Sequence, residues 1–244
     1  MKVDYISRMG SDISVVNAAR VSFDTHHAFL MRKDDKLIKY LAEHKHWSPF
    51  AHTSLQFRVK APIFVARQLA KHQVGLVWNE ISRRYVDKEP EIYTPVRWRG
   101  KPVDKKQGSS DKDIDINLST TSGPALVDDY KHAIDRCLWT YTHLLRKGVA
   151  PEMARMVLPQ STYTEWYWTG SLYAFYRVCE LRLAEDAQEE TREIAKQISD
   201  HCRKTFPISW AALNNEDLEE YPDSGFTDGF GVLPRVDPNP DGRN

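Results

Sequence analysis

Thr53-Ser54-Leu55-Gln56-Phe57-Arg58-Val59-Lys60 runs straight into Ala61-Pro62-Ile63-Phe64-Val65-Ala66-Arg67-Gln68-Leu69-Ala70, and the change of period between the two halves decides the fold class. In the first half polar and apolar residues alternate, the two-residue repeat of a strand with one face buried. In the second, Ile63, Phe64, Ala66, Leu69 and Ala70 return at helical spacing behind Pro62, whose fixed φ suits a first turn, and Gly75 is the expected terminator.

Working outward, Met1 to Ser7 reads as a short strand, Asp12 to Arg20 as a helix with Ser11 as its cap, and Asp34 to His44 as a second helix. Beyond the opening stretch, Ala125 to Arg146 reads as a long helix ended by Gly148, and Pro151 starts a shorter one reaching Leu158-Pro159. Gln160 to Thr169 carries the β-branched and aromatic residues of a strand, while Gly170 to Leu183 and Ala187 to Arg203 are again helical. Strands in the first and middle thirds among helices of unequal length argue for an α+β chain without regular βαβ alternation. Residues 1–207 form the expected single domain. Within it, 100–124 is charged, rich in Ser, Gly and Asp, and read as a mobile insertion dispensable to the fold; 208–244 is read as a C-terminal tail.

At 244 residues and 41% apolar content, the chain can bury a substantial core. Lys+Arg and Asp+Glu stand at 34 each, which removes the whole-molecule positive field of most nucleic-acid binders. Between Lys60 and Lys88, however, six cations face two anions, so positive potential is concentrated there. Three scattered cysteines without a CxxC pair point away from disulfides and zinc, and towards a reducing cytoplasm. No stretch approaches the roughly 20 apolar residues of a membrane span. The expectation is a cytoplasmic protein with neither membrane nor nucleic acid as partner.

The densest chemistry follows the opening stretch. Gln68, Lys71, His72 and Gln73, then Asn79, Glu80, Ser82, Arg83 and Arg84, place cations, amides, an acid and a hydroxyl at a helix end and the loop after it. Such groups suit a phosphorylated planar substrate: cations for phosphate or a developing oxyanion, amides and hydroxyl for ring edges. Ser82-Arg83-Arg84 equally describes a solvated basic turn. Arg155 lies among Met153, Met156, Val157 and Leu158, where a guanidinium meets either an anionic ligand or a structural salt bridge. Ser171 and Arg182, eleven residues apart, share one helix face, with Tyr173 and Arg177 neighbours on another. Arg182, inside Leu181-Arg182-Leu183, either serves an anion or snorkels to water. His26-His27 and His44, His46 and His52 lack a metal-ligand pattern, so no metal is expected. Neither Ser82 nor Ser161 has an adjacent nucleophile-activating pattern, and the aromatic run Tyr163 to Trp168 has the period of a core strand ahead of a base-stacking platform. GxGxxG and Walker patterns are absent, so a dinucleotide would be held without a Rossmann turn.

The sequence resembles the flavin-dependent thymidylate synthases (ThyX). The likeness is carried by Ala18-Ala19-Arg20-Val21-Ser22, Pro49-Phe50-Ala51-His52, Lys60 to Gln68, Asn79-Glu80-Ile81-Ser82-Arg83-Arg84-Tyr85, Ala154-Arg155-Met156-Val157-Leu158-Pro159 and Leu181-Arg182 ahead of Ala187-Gln188. These stand in order from about Ser11 to Pro207. The resemblance implies an α+β chain with a mixed or antiparallel sheet packed with long helices, assembling as a homotetramer with shared active sites. It implies FAD as cofactor, NADPH and 5,10-methylenetetrahydrofolate as co-substrates, and conversion of dUMP to dTMP. Carried over by position, His52, Ser54, Lys71, His72, Gln73, Glu80, Ser171, Tyr173 and Arg177 are flavin-contacting. Gln68, Lys71, Glu80, Ser82, Arg83, Arg84, Arg155 and Arg182 bind the nucleotide. Arg182 is the catalytic candidate, facing the uracil.

Three departures stand out against the family signature of Arg-His-Arg, seven residues, then Ser. Lys71 and Gln73 replace its two arginines, eight residues separate Gln73 from Ser82, and Ser171, Tyr173 and Arg177 stand where asparagine and arginine are usual. The altered signature leaves hydroxymethylation, or another pyrimidine nucleotide as substrate, as an alternative reading. A non-catalytic nucleic-acid-binding protein is the rival from another class, disfavoured by the zero net charge.

Overall fold

The computed structural model describes residues 1–85, 88–103, 108–117 and 125–216. Along the chain come β1 (Lys2–Met9), α1 (Asp12–Arg20), α2 (Arg32–Glu43), α3 (Ser48–Ala51), β2 (Ser54–Pro62), α4 (Ile63–Leu69), β3 (Leu76–Glu80) and α5 (Leu126–Arg146). There follow α6 (Pro151–Ala154), a 3-10 turn Arg155–Val157, β4 (Tyr163–Ser171), α7 (Leu172–Arg182), α8 (Glu189–Thr205) and α9 (Pro207–Leu213). The sheet is antiparallel throughout, in the order β1-β2-β4-β3.

Strand alternation builds the core. Leu55, Phe57, Val59 and Ala61 from β2 and Trp166 and Trp168 from β4 turn to one buried face. Phe175 of α7 packs edge-on against Phe57 and Trp168, with ring centroids 4.9 and 5.4 Å away. On the opposite face Gln56 donates to Thr169 at 3.0 Å, and Arg58 pairs with Glu165. Arg20, in one of the family-like stretches, donates to Asp34 at 2.9 Å, and Asp34 meets His27 at 2.9 Å, so this motif ties α1 to α2.

Three sequence expectations need correction. Leu76–Glu80, read as loop, is the edge strand β3, because Leu76 and Trp78 reach the core while the exposed Val77 and Asn79 mask the period. Gly170, placed in a helix, is the next-to-last residue of β4. An added Cβ there would lie 2.4 Å from Leu76 Cδ2 and 2.7 Å from the Gly75 carbonyl, so β3 closes on β4 only over a glycine. The chain beyond Pro207, read as tail, opens with α9, in which Trp210 and Ala211 are fully buried. Its short apolar run cannot declare a helical period against the Pro/Gly/Asp-rich residues after it. The Asp12 carboxylate accepts from the Ile208 and Ser209 amides at 3.2 and 2.9 Å, joining α9 to the start of α1. The remainder of the expected tail, 217–244, lies outside the described residues, as do 104–107 and 118–124 of the expected insertion. Its described part is pinned by backbone bonds: Gly100 N–H to the Lys112 carbonyl at 2.9 Å, and Ile114 N–H to the Trp98 carbonyl at 2.7 Å.

Candidate functional site

Helix α4 ends at Leu69, α7 ends at Arg182 and α8 begins at Glu189, and these three termini converge. Arg182 Nε donates to His72 Nε2 at 3.0 Å and its Nη2 to the Gln68 carbonyl at 3.0 Å. A guanidinium can only donate, so His72 Nε2 must carry its lone pair and the ring is neutral. Burial and then the charges of Arg182 and Arg177 hold the His72 pKa below its ordinary value, in agreement. Burial likewise lowers that of Arg182. Gln68 Nε2 donates to Gln188 Oε1 at 2.5 Å, closing a polar cluster of Gln68, His72, Arg182 and Gln188. A cavity of about 450 Å³ opens on it, lined by Gln68, Leu181, Arg182, Asp186, Ala187 and Gln188 around the helix ends and by Arg99, Gly108 and Ser109 on the loop side. Arg182 is therefore bound by polar partners in a cavity wall, not snorkelled to water.

A second group gathers where the strands meet α7. Ser54 and Ser171 are register partners across β2 and β4, and Ser171 Oγ caps α7 by accepting from the Ala174 amide at 3.1 Å. The Ser171 amide donates to the carbonyl of Gly75, whose φ of 75° lets the chain turn into β3. Tyr173 stacks obliquely between Trp47 at 5.9 Å and Tyr176 at 5.8 Å. Arg177 is exposed, as are His52, Lys71 and Gln73.

The remaining candidates stand apart. Glu80, at the end of β3, accepts from Thr164 at 2.5 Å and from the Trp78 indole at 3.2 Å. Ser82 Oγ accepts from the backbone amide and Nε of Arg84 at 3.3 and 3.2 Å, while Arg83 donates to the Lys88 carbonyl at 2.7 Å. Arg155, in the turn after α6, is exposed and donates to the Glu152 carbonyl at 3.3 Å, so no salt bridge consumes it among the described residues. Neither Arg84 nor Arg155 is among the described residues that line the Arg182 cavity of the same chain. Sequence reasoning gave no role to Gln188, Arg99 or Ser109. Ala187-Gln188 was visible as a family-like flank, and Arg99 only as one of several charges beside a polar insertion.

The family model for thymidylate synthase complementing protein matches residues 4–208. A flavin-dependent thymidylate synthase of Thermus thermophilus is 40% identical over 222 residues, 89% of this chain and 77% of that one. One of Kosmotoga olearia is 38% identical over 208 residues, 85% of this chain and 87% of its own. Among solved structures, a UMP/dUMP methylase, PolB from Streptomyces cacaoi, bound with 5-Br dUMP, superposes with a TM-score of 0.75 at 31% identity, covering 88% of this chain and 95% of that one. Matched over most of its length by the family model and by these relatives, the chain belongs to the flavin-dependent thymidylate synthase family.

Proposed function

We infer that this chain converts dUMP to dTMP by reductive methylation, with 5,10-methylenetetrahydrofolate as carbon donor and NADPH-reduced FAD as hydride donor. The observation that carries the reading is the Arg182 guanidinium, held by neutral His72 and the Gln68 carbonyl in the wall of a cavity of about 450 Å³. With Nε and Nη2 engaged there, Nη1 is left to meet a ring carbonyl. Making C5 of uracil nucleophilic drives negative charge towards N3 and O2, so a preset guanidinium aids the transition state more than the ground state. No attacking side chain is needed. Ser82, Glu80, Arg83, Arg84 and Arg155 serve as anchors for sugar and phosphate, with Gln68 and Lys71 beside the base.

The residues present fit a flavin. Paired Ser54 and Ser171, the N-terminus of α7, exposed Arg177 and uncharged His72 offer hydroxyl donors, a helix dipole and a cation to an anionic dinucleotide. His52, Lys71, Gln73, Glu80 and Tyr173 complete the set, with Arg177 supplying charge that Lys71 and Gln73 no longer concentrate at the signature. When bound, reduced FAD supplies the hydride that completes the methyl group.

That Arg84 and Arg155 do not line the Arg182 cavity of their own chain accords with a homotetramer in which neighbouring subunits complete each site. A cytoplasmic setting accords with three free cysteines. No helix is long and apolar enough to cross a membrane among the described residues. Purified protein is expected to be yellow, to oxidise NADPH, and to form dTMP only when the folate is present. Protein that stays colourless with added FAD refutes the reading. The named activity of PolB towards both UMP and dUMP supports a second reading, in which this chain also accepts UMP. Mass analysis of products from each nucleotide decides it, and separates a methyl from a hydroxymethyl product.

A further inference from the structure

Gly108 and Ser109, inside the insertion read as dispensable, form the loop-side wall of the Arg182 cavity. Beside the backbone bonds of this segment, one side chain ties that wall to α8. Arg99 donates from Nε to Ser109 Oγ at 2.9 Å, from Nη1 to Glu189 at 3.1 Å, and from Nη2 to both oxygens of Glu190 at 2.9 and 2.8 Å. Its side chain is 15% exposed and that of Glu190 6%, so the pair is largely shielded from water. Glu189 and Glu190 open α8, directly after Gln188, whose amide oxygen holds Gln68. Tyr93, ahead of the insertion, adds a 3.3 Å hydroxyl bond to Glu190. Arg99 therefore ties the loop-side wall, at Ser109, to the first turn of α8, directly behind Gln188 of the facing wall. A salt bridge serving stability alone would not need the third bond, from Nε to an exposed loop residue.

We propose that Arg99 is a positioning residue for the uracil nucleotide, fixing the gap between Ser109 and Gln188 and thereby setting nucleotide affinity, while Arg182 acts on the ring. The proposal rests on reading the Arg182 cavity as the nucleotide site. A lysine at 99 keeps a charge for one glutamate but cannot span Glu189, Glu190 and Ser109 at once. A phenylalanine at the exposed position 109 narrows the cavity without touching the ion pairs.

The test uses full-length Arg99→Lys and Ser109→Phe holoenzymes. Steady-state kinetics give KM and kcat, titration of the flavin absorbance gives dUMP affinity, and thermal unfolding reports the fold. Both variants are expected to raise KM and the dissociation constant for dUMP about tenfold, with kcat at saturating dUMP within about twofold of wild type and flavin affinity unchanged. Ser109→Phe is expected to keep the wild-type Tm, which separates an effect on the cavity from an effect on the fold. Unchanged dUMP affinity in either variant overturns the proposal, as does a loss confined to kcat. A wild-type enzyme that binds flavin but not dUMP would instead sink the nucleotide reading beneath it.

Discussion

Arg182 and His72 form a pair in which each fixes the other's chemistry. Arg182→Ala removes the charge proposed to face the ring while the proposed flavin positions around Ser54, Ser171 and Arg177 stay intact. Turnover is expected to fall by about 10²-fold or more with the protein still yellow, checked by kcat and bound-flavin absorbance; near-normal turnover refutes the role. His72 carries a pH consequence. Its folded pKa lies below the ordinary 6.5, so on acidification the unfolded chain takes up this proton first and stability declines as pH falls through that value. Tm measured between about pH 8 and 5.5 should drop more in wild type than in His72→Asn, which cannot titrate. Equal slopes would detach His72 from the effect. Arg182 itself was legible in the sequence as a cation inside an apolar helix. That His72 is its acceptor was not, because 110 residues separate the two and only the folded termini of α4 and α7 bring them together.

At the level of elements, the switch from strand to helix at Pro62 was readable because both halves keep a clean period, as do α1, α5 and α8. β3 was hidden: an edge strand of five residues with three exposed side chains has too little pattern to show. Gly170→Ala tests its seating. The added methyl meets Leu76 and the Gly75 carbonyl, so β3 should be displaced, with weaker flavin binding and a lower Tm. A variant matching wild type in both would show that β3 yields without consequence. α9 was hidden by its composition, and Trp210, with its indole donating to Ser199 at 3.1 Å, marks how firmly it is held. Trp210→Ala should cost about 3–5 kcal/mol in denaturant unfolding. A loss below about 1 kcal/mol would make α9 an appendage.

For the whole molecule, the equal count of 34 cations and 34 anions removed polyanion binding as a default, and that argument needed no coordinates. The proposed sharing of a site between subunits could not be read in the same way, since no pattern within one chain says which surfaces meet. α5 presents Leu126 and Trp139 to solvent, and only Tyr141 along its 21 residues is buried. A long amphipathic helix with so little cover fits burial against other subunits. Light scattering should return about four times the 28.3 kDa chain mass. Mixing inactive Arg182→Ala and Arg155→Ala proteins through unfolding and reassembly should restore about a quarter of wild-type turnover if the two arginines of one site come from different subunits. No recovery from correctly assembled mixtures would place both in the same chain's site.

The bonds from Asp12 to α9 have a consequence for biosynthesis. Beyond these, the Val3 amide donates to Gln197 at 2.9 Å and Arg8 to the Thr205 carbonyl at 3.0 Å, so β1 and the start of α1 are completed only by α8 and α9. While a ribosome is still translating α8, the Val3 amide and Arg8 of the opening strand have no α8 partner, and Val3, buried in the finished fold, waits in the open. Until Pro207–Leu213 emerges from the exit tunnel, the Asp12 carboxylate lacks the two amides that hold it in the native state.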